Sequence, residues 1–600
     1  MPSPRQTVRN ARLLVQSCLQ HLVDDPALLA VQASRRLPFW ARVRVGKGLL
    51  DVGRRIPGGT GVAALGAFMA GDGRTSAQLL ERSTGSRSAL RGEVAVLLDR
   101  ADLISTNAPA STRARAAWMR GQFTAAVTIL EKAGQGRTRY AQRLRSELQL
   151  LQPGYRLPVS QRATPVRASL LEKPARVLCL VTNSLPHTQS GYSLRTHRIL
   201  TALSGEGIAS VALTRTGYPV MVGLPTAAKE DVVDGIRYVR TLPERLPRTQ
   251  EDRLLAEVER ALALVEEFRP HILHATTNYY NALVAQAVAE VTGLPWVLEV
   301  RGLMEETWIA SLATAEGRKF AATSEKPRLI AARRAELVAE ADAVVTLSET
   351  MAADLERHGV DRSRVAIVPN GVDESLLEDH VTPEEARQLL GLKRRDSFMV
   401  GAVSALVDYE GFDTLLRAVA LLLTEDSAPS ALREQLYVAI AGDGSAAPAL
   451  RTLARELGIE DRVLMPGRVP RDRARDWVQA LNVVVVPRRD VEVARTVTPQ
   501  KPVEAMALGR PVIVSDLPAL RETITDDTGH LAGLLTPAGN AEALATQIHA
   551  LWADAPRRDE LGEKGRSLAA SRTWSAMVRR YDAVYTQAAS ERREGAARGK

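Results

Sequence analysis

The arrangement of apolar residues after position 175 constrains the fold more than any other feature of this 600-residue chain. Short apolar runs of β type alternate there with longer patterns of helical period, which predicts βαβ units and parallel sheets. The first series of predicted strands comprises 176–182, 210–214, 236–240, 272–275, 296–301, 343–347 and 365–368, with intervening helices that include 193–204, 251–267, 282–291 and 328–341. The second series comprises 398–403, 437–441, 462–465, 482–487 and 511–515. The sequence therefore predicts an α/β fold with two doubly wound, Rossmann-like domains in tandem, at 175–373 and 374–572, that face a ligand cleft.

The segments on either side of the α/β series have different patterns. Residues 1–155 show apolar spacings of three and four, which predict an α-helical domain. Within it, 111–133 resembles one tetratricopeptide helix pair, with the small residues Gly121 and Ala126 at the matching positions. Because a stacked array needs about three repeats, we expect an irregular helical domain. The remaining predicted segments are a proline-rich linker at 156–174, a C-terminal helix at 573–588 and a polar tail at 589–600.

The positive charge of the chain is concentrated in its first quarter. Residues 1–170 hold 26 Lys and Arg against 10 Asp and Glu, a net charge of +16, whereas the whole chain carries +10. This excess suggests a polyanionic partner, such as a membrane surface, a nucleic acid or an acidic polymer. The alternative is an arginine-rich helical surface that is only solvated. Since no zinc-finger spacing or RNA-recognition signature is present, we expect no nucleic-acid partner.

Composition excludes several classes of protein. Hydrophobic residues make up 45% and charged residues 25% of the chain, which is typical of globular proteins. Two cysteines, Cys18 and Cys179, are too few for a disulfide scaffold or a multi-cysteine zinc site. No apolar run is long enough to span a membrane, and no signal peptide is recognisable. The expectation is a cytoplasmic protein, which the basic first quarter could hold against the inner face of the plasma membrane.

Polar residues follow several predicted strands of the first series, where the carboxyl ends of parallel strands form ligand crevices. Gly191 precedes a helix whose amides would point toward such a crevice. His274 is predicted at the end of the fourth strand, where a general base would be useful, although a lone histidine is more often structural. Glu299 and Arg301 lie in an apolar run, where charges are costly unless paired. We therefore expect both to have partners, either in each other's neighbourhood or in a substrate.

The strongest chemical signal lies in the second series, in TVTPQKPVEAMALGRPVIVSDLPALRE. This segment predicts a loop, a short helix that begins near Pro502 and ends at Gly509, and a strand. The N-terminus of such a helix attracts phosphate, and Lys501 adds a full positive charge beside it. Glu504 could then accept hydrogen bonds from a ribose diol. A capped core helix with an acidic first turn is the alternative.

The same segment resembles the nucleotide-binding signature of the family 4 retaining glycosyltransferases, which have the GT-B fold. The resemblance extends over about 175–588, and its supporting segments occur in the family's order. They are GYSLRTHRIL, ILHATTNYYNALVAQAVAEVTGLPWVLEVRG, ADAVVTLSETMAADLERHGV, RVAIVPNGVD, YEGFDTLLRA, AIAGDG, DRVLMPGRVP and KPVEAMALGRPVIVSD. The segments EVRG, YEG and TPQKPVEAMA look like those of bacterial exopolysaccharide-type members.

The resemblance implies roles for individual residues. Glu504 matches the second glutamate of the family's Glu-x7-Glu motif, which binds the donor ribose. The residues expected on the donor side are Gly191, Ser404, Gly467, Arg468, Val469, Arg495, Thr496, Lys501 and Glu504. Those expected on the acceptor side are Arg195, Arg301 and Glu305. His274, at the start of the family's histidine-containing segment, is the candidate catalytic residue.

The chain departs from the family pattern at several of these positions. Thr496 stands where the first glutamate of the motif is expected, which puts the usual contact to the donor sugar in doubt. Ser404 and Glu410 stand where the family often has an arginine and a lysine for the diphosphate. A diphosphate still needs cations or amides, which leaves Arg495 and Lys501 as the candidates.

A further departure concerns the histidine segment. Many relatives have His-x-His where this chain has His274-Ala275-Thr276. If the second histidine is the functional one, this chain lacks it, and His274 is a substitute.

The resemblance implies transfer of a sugar from a UDP- or GDP-sugar to a glycan or lipid-linked acceptor, with retention, in cell-surface polysaccharide or glycolipid synthesis. The sequence contains no Asp-x-Asp motif to hold a divalent metal at the diphosphate, so metal-independent transfer without a cofactor is expected. One alternative is a degenerate, non-catalytic GT-B scaffold that docks at the membrane through the basic helical domain. The other is a nucleotide-sugar 2-epimerase, which shares the fold but needs no acceptor.

Overall fold

The computed structural model describes residues 3–34, 39–82, 88–159, 175–312, 314–378, 381–393, 396–424 and 428–598. The chain divides into two compact units. The first comprises Met1–Gln189, Ser210–Trp296 and Leu312–Ala341, and the second comprises Ser190–Ala209, Val297–Ser311 and Asp342–Lys600. Most of the linker predicted at 156–174 lies outside the described residues, and the domain boundaries stay predictions.

The N-terminal region is helical, as predicted. Its helices are α1 (Pro4–Asp24), α2 (Pro26–Ser34), α3 (Phe39–Arg55), α4 (Thr60–Met69), α5 (Gly73–Glu81), α6 (Ala89–Leu97), α7 (Ala110–Met119), α8 (Phe123–Lys132) and α9 (Arg139–Leu150). Side chains of Ser3, Asp72, Ser88 and Thr138 accept a hydrogen bond from a first-turn amide and so cap the helices that follow them.

The helix pair predicted near 111–133 is present as α7 and α8. Its turn contains Gly121 in the left-handed conformation, with φ +77°. A second pair, α4 and α5, has the same turn, with Gly71 at φ +91°. The sequence analysis missed this pair because the position corresponding to the buried Ala126 is Ser76. Ser76 is also buried, since its hydroxyl donates to the carbonyl oxygen of Ala64 at 2.8 Å.

The first α/β series follows the predicted order with small shifts at the ends. Its elements are β1 (Arg176–Val181), α10 (Gly191–Gly205), β2 (Ala209–Thr214), β3 (Glu230–Val233), β4 (Ile236–Arg240), α11 (Gln250–Phe268), β5 (Ile272–Thr276), α12 (Tyr279–Thr292), β6 (Trp296–Val300), α13 (Met304–Ala310), α14 (Ala315–Ala322), α15 (Glu325–Glu340), β7 (Ala343–Thr346), α16 (Glu349–Arg357) and β8 (Val365–Ile367). In the first unit, strands lie side by side in the order β3-β4-β2-β1-β5. All are parallel except β3, which pairs antiparallel with β4. β3 was not predicted, because it has only four residues and two of them are acidic.

The second α/β series lies entirely in the second unit. Its elements are α17 (Ser375–Glu378), α18 (Pro383–Leu389), β9 (Phe398–Val403), α19 (Phe412–Thr424), α20 (Ser430–Gln435), β10 (Leu436–Ala441), α21 (Ala447–Glu456), β11 (Val463–Gly467), α22 (Arg471–Gln479), β12 (Val483–Val486), α23 (Glu492–Thr496), α24 (Lys501–Ala507), β13 (Val512–Ser515), α25 (Pro518–Thr523), β14 (Leu534–Thr536), α26 (Ala541–Ala553), α27 (Ala555–Ala570) and α28 (Trp574–Arg598).

Six parallel strands of this unit form a sheet in the order β11-β10-β9-β12-β13-β14, and β6, β7 and β8 lie side by side in parallel. Most of these strands are buried valine-rich runs, as expected of parallel sheets covered on both faces. The predicted architecture of two Rossmann-like α/β domains preceded by a helical region is confirmed.

The C-terminal helix is longer than predicted. It was expected at 573–588, but α28 continues to Arg598 and includes most of the segment predicted as a polar tail. The added residues are mainly Glu, Arg and Ala, which favour a helix even without an apolar face. Across the described ranges, no helix has the length and apolar character needed to cross a membrane.

Candidate functional site

The six-stranded sheet has a topological switch point between β9 and β12. From β9 the sheet continues through β10 to β11, and from β12 it continues in the opposite direction through β13 to β14. Connections that leave in opposite directions open a crevice at the carboxyl ends of these two strands, where open α/β sheets bind ligands. Ser404 directly follows β9, and Arg488 follows β12 by two residues. The fold therefore predicts a ligand between these loops.

A buried carboxylate joins two cations at this crevice. Glu410 lies in the loop after β9, and its Oε1 accepts a hydrogen bond from Arg488 Nη2 at 3.0 Å. Its Oε2 accepts one from Lys501 Nζ at 2.9 Å, and the same ammonium donates to Ser404 Oγ at 2.5 Å. The side chains of Glu410 and Arg488 are 5% and 8% exposed, and that of Lys501 is 24% exposed. Of the cluster, Lys501 is therefore the member most open to a ligand.

The charges in this cluster are strongly coupled. Burial alone would raise the pKa of Glu410, but Arg488 and Lys501 outweigh it and hold that pKa at about 2. Burial lowers the pKa of Lys501, while Glu410 acts in the opposite direction. Two cations on one carboxylate leave a net charge of +1 at the crevice, which suits an anionic ligand.

Two glycines allow the loops of the crevice to approach each other closely. Gly411 has φ +72°, and a Cβ there would lie 1.9 Å from the carbonyl oxygen of Pro487. Gly442, after β10, has φ +148°, and a Cβ there would lie 1.7 Å from the carbonyl oxygen of Ser404. A side chain at either position would force the backbones apart, so these glycines are required by the geometry of the site.

Glu504 lies on α24, three residues after Lys501. Its Oε1 accepts a hydrogen bond from Arg198 Nη1 at 2.8 Å, and Arg198 Nε lies 3.0 Å from Asp373 Oδ2. The side chain of Arg198 is 12% exposed, whereas that of Glu504 is 30% exposed. Arg198 therefore fixes the orientation of Glu504 and leaves part of the Glu504 side chain exposed.

Gly191 is the first residue of α10. Ser190 caps this helix, since its Oγ accepts from the amide of Ser193 at 3.2 Å. Gly191 is exposed, and a Cβ there would meet no atom within 4 Å. Local packing therefore does not explain the glycine.

The structure separates the two cations that the sequence analysis proposed for a diphosphate. Lys501 belongs to the buried cluster, whereas Arg495 is 47% exposed and paired with Asp490 through Nε and Nη2, at 2.5 and 2.6 Å. Thr496 is buried, and its hydroxyl donates to Glu492 Oε1 at 3.2 Å. A glutamate thus lies one helical turn before the position where the motif would have its first glutamate.

The three residues expected near the nucleotide base lie at the carboxyl end of β11. Gly467 ends this strand with φ +85°, and its carbonyl oxygen accepts from the amide of Gly442 at 2.8 Å. Arg468 is exposed and Val469 is half-buried. All three therefore lie at the same edge of the sheet as Ser404.

The two arginines expected on the acceptor side are engaged in a buried cluster around Glu299. Glu299 is 0% exposed and accepts from Arg195 Nη2 at 2.9 Å, Arg301 Nη2 at 2.7 Å and Tyr581 Oη at 2.9 Å. Arg195 also donates to the carbonyl oxygen of Val368 at 2.8 Å. The expectation that Glu299 and Arg301 have partners is confirmed, and each is the other's partner.

The remaining predicted residues are also buried. Glu305 lies in the first turn of α13. His274 belongs to the first unit, where it is the third of the five residues of β5 and pairs in register with Cys179. The sequence analysis placed it at the end of the strand, but β5 runs on to Thr276. The catalytic role of His274 stays a prediction.

The described ranges contain no group of three or more His, Cys, Asp or Glu side chains placed to hold a metal ion.

Sequence reasoning missed two arginines of the site. Arg488 follows the buried valines of β12, and a charge directly after such a strand would have been a usable signal. Arg198 is one of several polar residues on α10, and its partner Glu504 lies 306 positions along the chain. No local pattern identifies a pair so far apart in sequence.

Comparisons with known proteins identify the family to which this chain is similar. The model for glycosyl transferases group 1 matches residues 386–568, and the model for a glycosyl transferase 4-like domain matches residues 190–371. The D-inositol 3-phosphate glycosyltransferase of Thermomonospora curvata is 31% identical over 332 residues, which cover 53% of this chain and 71% of that protein. The D-inositol 3-phosphate glycosyltransferase 1 of Catenulispora acidiphila is 30% identical over 374 residues, 60% of this chain and 82% of the relative.

Solved structures support the same fold. Sucrose-phosphate synthase from Thermosynechococcus elongatus matches with a TM-score of 0.55 at 21% identity, covering 69% of this chain and 98% of that one. Anabaena HepE in complex with UDP matches with a TM-score of 0.51 at 17% identity, covering 68% and 99%. The two Rossmann-like domains, together with the family models and these structural matches, identify the GT-B fold. Within that fold class, the chain belongs to the GT4-type glycosyltransferases and is a glycosyltransferase.

Proposed function

We propose that this enzyme transfers a sugar from a nucleotide-sugar donor to a glycan or lipid-linked acceptor with retention, in the synthesis of a cell-surface polysaccharide or glycolipid. The observation that carries the proposal is the Lys501 ammonium, held beside Ser404 and Glu410 at the switch point of the second α/β sheet. A diphosphate needs positive charge at such a position.

The contacts support a division of roles within the donor site. Lys501, with Arg488 behind it, would balance the charge of the diphosphate, and Glu504 would accept hydrogen bonds from the ribose diol. Arg198 supports the second role, because it fixes the glutamate while the Glu504 side chain stays 30% exposed. The open space at Gly191 suits the approach of a phosphate to the capped start of α10.

The chemistry follows from this placement. The bond between the anomeric carbon and the diphosphate oxygen breaks, and the bonding electrons leave with the nucleoside diphosphate as additional negative charge. The acceptor hydroxyl oxygen bonds to the anomeric carbon, and its proton is released to solvent. Cations already fixed in place stabilise that charge without reorganisation during the reaction. We therefore propose that Lys501 and Arg488 act on the leaving group and that no divalent metal is required.

The names of the similar proteins guide the choice of substrates. HepE was solved with UDP and with UDP-glucose, which makes UDP-sugars the first donors to test, followed by GDP-sugars. The curated relatives are named for D-inositol 3-phosphate, so this compound belongs in the acceptor panel beside glycans and lipid-linked sugars. A lipid-linked acceptor would require a cytoplasmic enzyme that works at the inner face of the membrane.

The experiment that tests the proposal measures release of nucleoside diphosphate from a panel of sugar nucleotides. The wild type is compared with Glu504→Ala, and the matched control is Glu542→Ala, which removes an exposed first-turn glutamate of α26. We expect release from one donor by the wild type and the control, and roughly ten- to hundredfold slower release by Glu504→Ala. This expectation follows from the loss of a charge-assisted contact to the donor, worth roughly 1.5–3 kcal/mol.

Two results would contradict the proposal. In the first, no sugar nucleotide is hydrolysed, and neither sugar nucleotides nor nucleoside diphosphates raise the melting temperature. The degenerate scaffold is then the better interpretation. If a sugar nucleotide is epimerised without an acceptor, the 2-epimerase alternative is correct.

A further inference from the structure

Helix α1 is attached to the first unit through a face that combines apolar and polar side chains, since Leu13 is fully buried in an apolar cluster of that unit. Asn10 is fully buried, and its Nδ2 donates to the carbonyl oxygens of Pro225 and Ala227, at 2.8 Å each. Gln16 accepts a hydrogen bond from the amide of Leu246 at 2.8 Å. These contacts fix the rotation of α1 about its axis, so the face that remains outward is determined.

The outward face of α1 is apolar. The exposed fractions are 73% for Val8, 56% for Val15, 56% for Leu19, 54% for Leu22 and 67% for Val23. Residues 8, 15, 19 and 22 are spaced by seven, four and three, which places them on one side of the helix. A surface helix in water normally turns such a stripe toward the core. A contiguous exposed stripe instead marks an interaction surface.

Helix α3 presents a similar combination of side chains. Val45, Val52 and Ile56, spaced by seven and four, are 43%, 49% and 51% exposed, and Trp40 is 68% exposed. Basic residues interrupt and flank the apolar ones, and those that are exposed are Arg44, Lys47, Arg54 and Arg55. Tryptophan beside basic and aliphatic side chains is typical of helices that lie in the interface of a bilayer.

Charge decides which partner these faces fit. Residues 1–56 contain ten Lys and Arg against three Asp, a net charge of +7. On α1, Arg5 and Arg12 are exposed beside the apolar stripe. A second copy of the chain would bring two positive surfaces together, which opposes association. An anionic lipid surface offers both the negative charge and the apolar layer.

We infer that the outward faces of α1 and α3 are a membrane-docking surface for anionic lipid. The apolar stripe of α1 enters the boundary between headgroups and acyl chains, and Arg5 and Arg12 contact lipid phosphates. This inference rests on the proposed function and deepens it, because it names the surface that would hold the enzyme beside a lipid-linked acceptor.

The test is sedimentation of the full-length protein with vesicles of phosphatidylcholine alone or mixed with phosphatidylglycerol. We expect binding to the mixed vesicles that weakens as salt is added, since exposed charges are screened. The double variant Val15→Asp, Leu19→Asp should reduce the partition coefficient roughly tenfold or more. The control Val232→Asp changes a valine of β3 that is 65% exposed, and it should bind like the wild type.

A charge series and a probe provide independent readouts. Arg5→Ser with Arg12→Ser should weaken binding by roughly tenfold or more, whereas Arg137→Ser with Arg139→Ser, also exposed in the helical region, should weaken it less. Cys18 is exposed, while Cys179 is buried, so a thiol-reactive polarity probe will label Cys18.

Cys18 lies between Val15 and Leu22 on the outward face of α1. The fluorescence emission maximum of a probe attached there should shift to shorter wavelength when mixed vesicles are added. The same probe at the exposed Thr106, in a Thr106→Cys, Cys18→Ser variant, should not shift.

The inference is overturned if the wild type fails to bind mixed vesicles at low salt, or if the Val15→Asp, Leu19→Asp variant binds as well as the wild type. It is also overturned if light scattering shows a dimer that this variant dissociates, because the occupant is then a second copy. Vesicle binding requires no donor, and release of nucleoside diphosphate requires no vesicles. Failure to bind vesicles would therefore overturn the docking surface without affecting the proposed function, and failure to release nucleoside diphosphate would do the reverse.

Discussion

The Nζ atom of Lys501 lies 2.9 Å from Oε2 of Glu410, and this contact joins the start of α24 to the loop after β9. The two residues are 91 positions apart in sequence, yet both are at the switch point of one sheet. The pair by itself is neutral, and Arg488, which also contacts Glu410, gives the three-residue cluster its net positive charge.

Acid should remove the stabilisation that Glu410 provides. Its pKa of about 2, against an ordinary 4.5, corresponds to about 3 kcal/mol. Because the pKa is lowered in the folded state, this contribution is complete above about pH 4.5 and is lost as the pH falls toward 2. We expect Glu410→Gln to lower the free energy of unfolding by about 3 kcal/mol near neutral pH, measured by urea denaturation.

The difference between wild type and Glu410→Gln should narrow as the pH falls below about 4.5. Glu542→Gln, which changes an exposed glutamate of the same unit, is the control and should alter stability little. A constant difference across that range would show that Glu410 is not an ionised partner of the two cations.

Lys501 and Arg495 should contribute unequally to diphosphate binding. Lys501 lies in the crevice, whereas Arg495 is exposed and paired with Asp490. We expect Lys501→Gln to weaken nucleoside diphosphate binding at least about tenfold, since a charge-assisted hydrogen bond contributes roughly 1.5–3 kcal/mol. Arg495→Gln should weaken it by less than about threefold, as is usual for exposed ion pairs.

Calorimetric titration with a nucleoside and its diphosphate measures this difference. The loss in Lys501→Gln should be confined to the diphosphate. An equal loss for the nucleoside would mean that the substitution disturbs the pocket as a whole.

More of the fold than of the site could be predicted from the sequence. β9 was predicted at 398–403 and β4 at 236–240, and the structure has both with these bounds. β9 is a continuous apolar run, as expected of a buried parallel strand, whereas the β-branched and aromatic residues of β4 are interrupted by arginines. β3 and β14 were missed. β3 has two acidic residues among its four and pairs antiparallel with β4, and β14 has only three residues. Neither carries a hydrophobic period long enough to recognise.

For the site, the sequence identifies residues that are close together along the chain. Lys501 and Glu504 share one motif and were predicted together. Arg488 and Arg198 depend on partners 78 and 306 positions away, so their roles appear only once the chain is folded. Arg195 and Arg301 show the opposite case, since their charge suggested a substrate contact and the structure gives them Glu299.

The cluster around Glu299 should therefore act on stability. Glu299→Gln removes the carboxylate charge that both Arg195 and Arg301 contact in this buried cluster, and we expect a loss of about 3–5 kcal/mol in the free energy of unfolding. Tyr581→Phe removes a hydroxyl that donates to Glu299 at 2.9 Å and accepts from Arg195 at 3.1 Å, and should lose roughly 1.5–3 kcal/mol. At a temperature where both variants are folded, the affinity for nucleoside diphosphate should match the wild type. If the variants lose affinity for nucleoside diphosphate while they remain folded, these arginines contribute to the substrate site.

Glu257 should make the first unit less stable in alkali. It is buried on α11, and its Oε2 accepts from the amide of Thr216 at 3.2 Å. Burial raises its pKa to about 8, although this hydrogen bond and the nearby Arg215 act against the shift. The folded state therefore holds a proton that the unfolded state releases above about pH 4.5, and stability falls as the pH rises from there through 8.

Glu257→Gln keeps an acceptor for the amide of Thr216 and removes the titration. We expect it to match the wild type near pH 5 and to exceed it by as much as about 4 kcal/mol above pH 8, measured by urea denaturation. Glu259→Gln, an exposed position on the same helix, should follow the wild type at every pH. If Glu257→Gln instead loses stability equally at both pH values, the carboxylate is ionised in the folded protein and Arg215 is its partner.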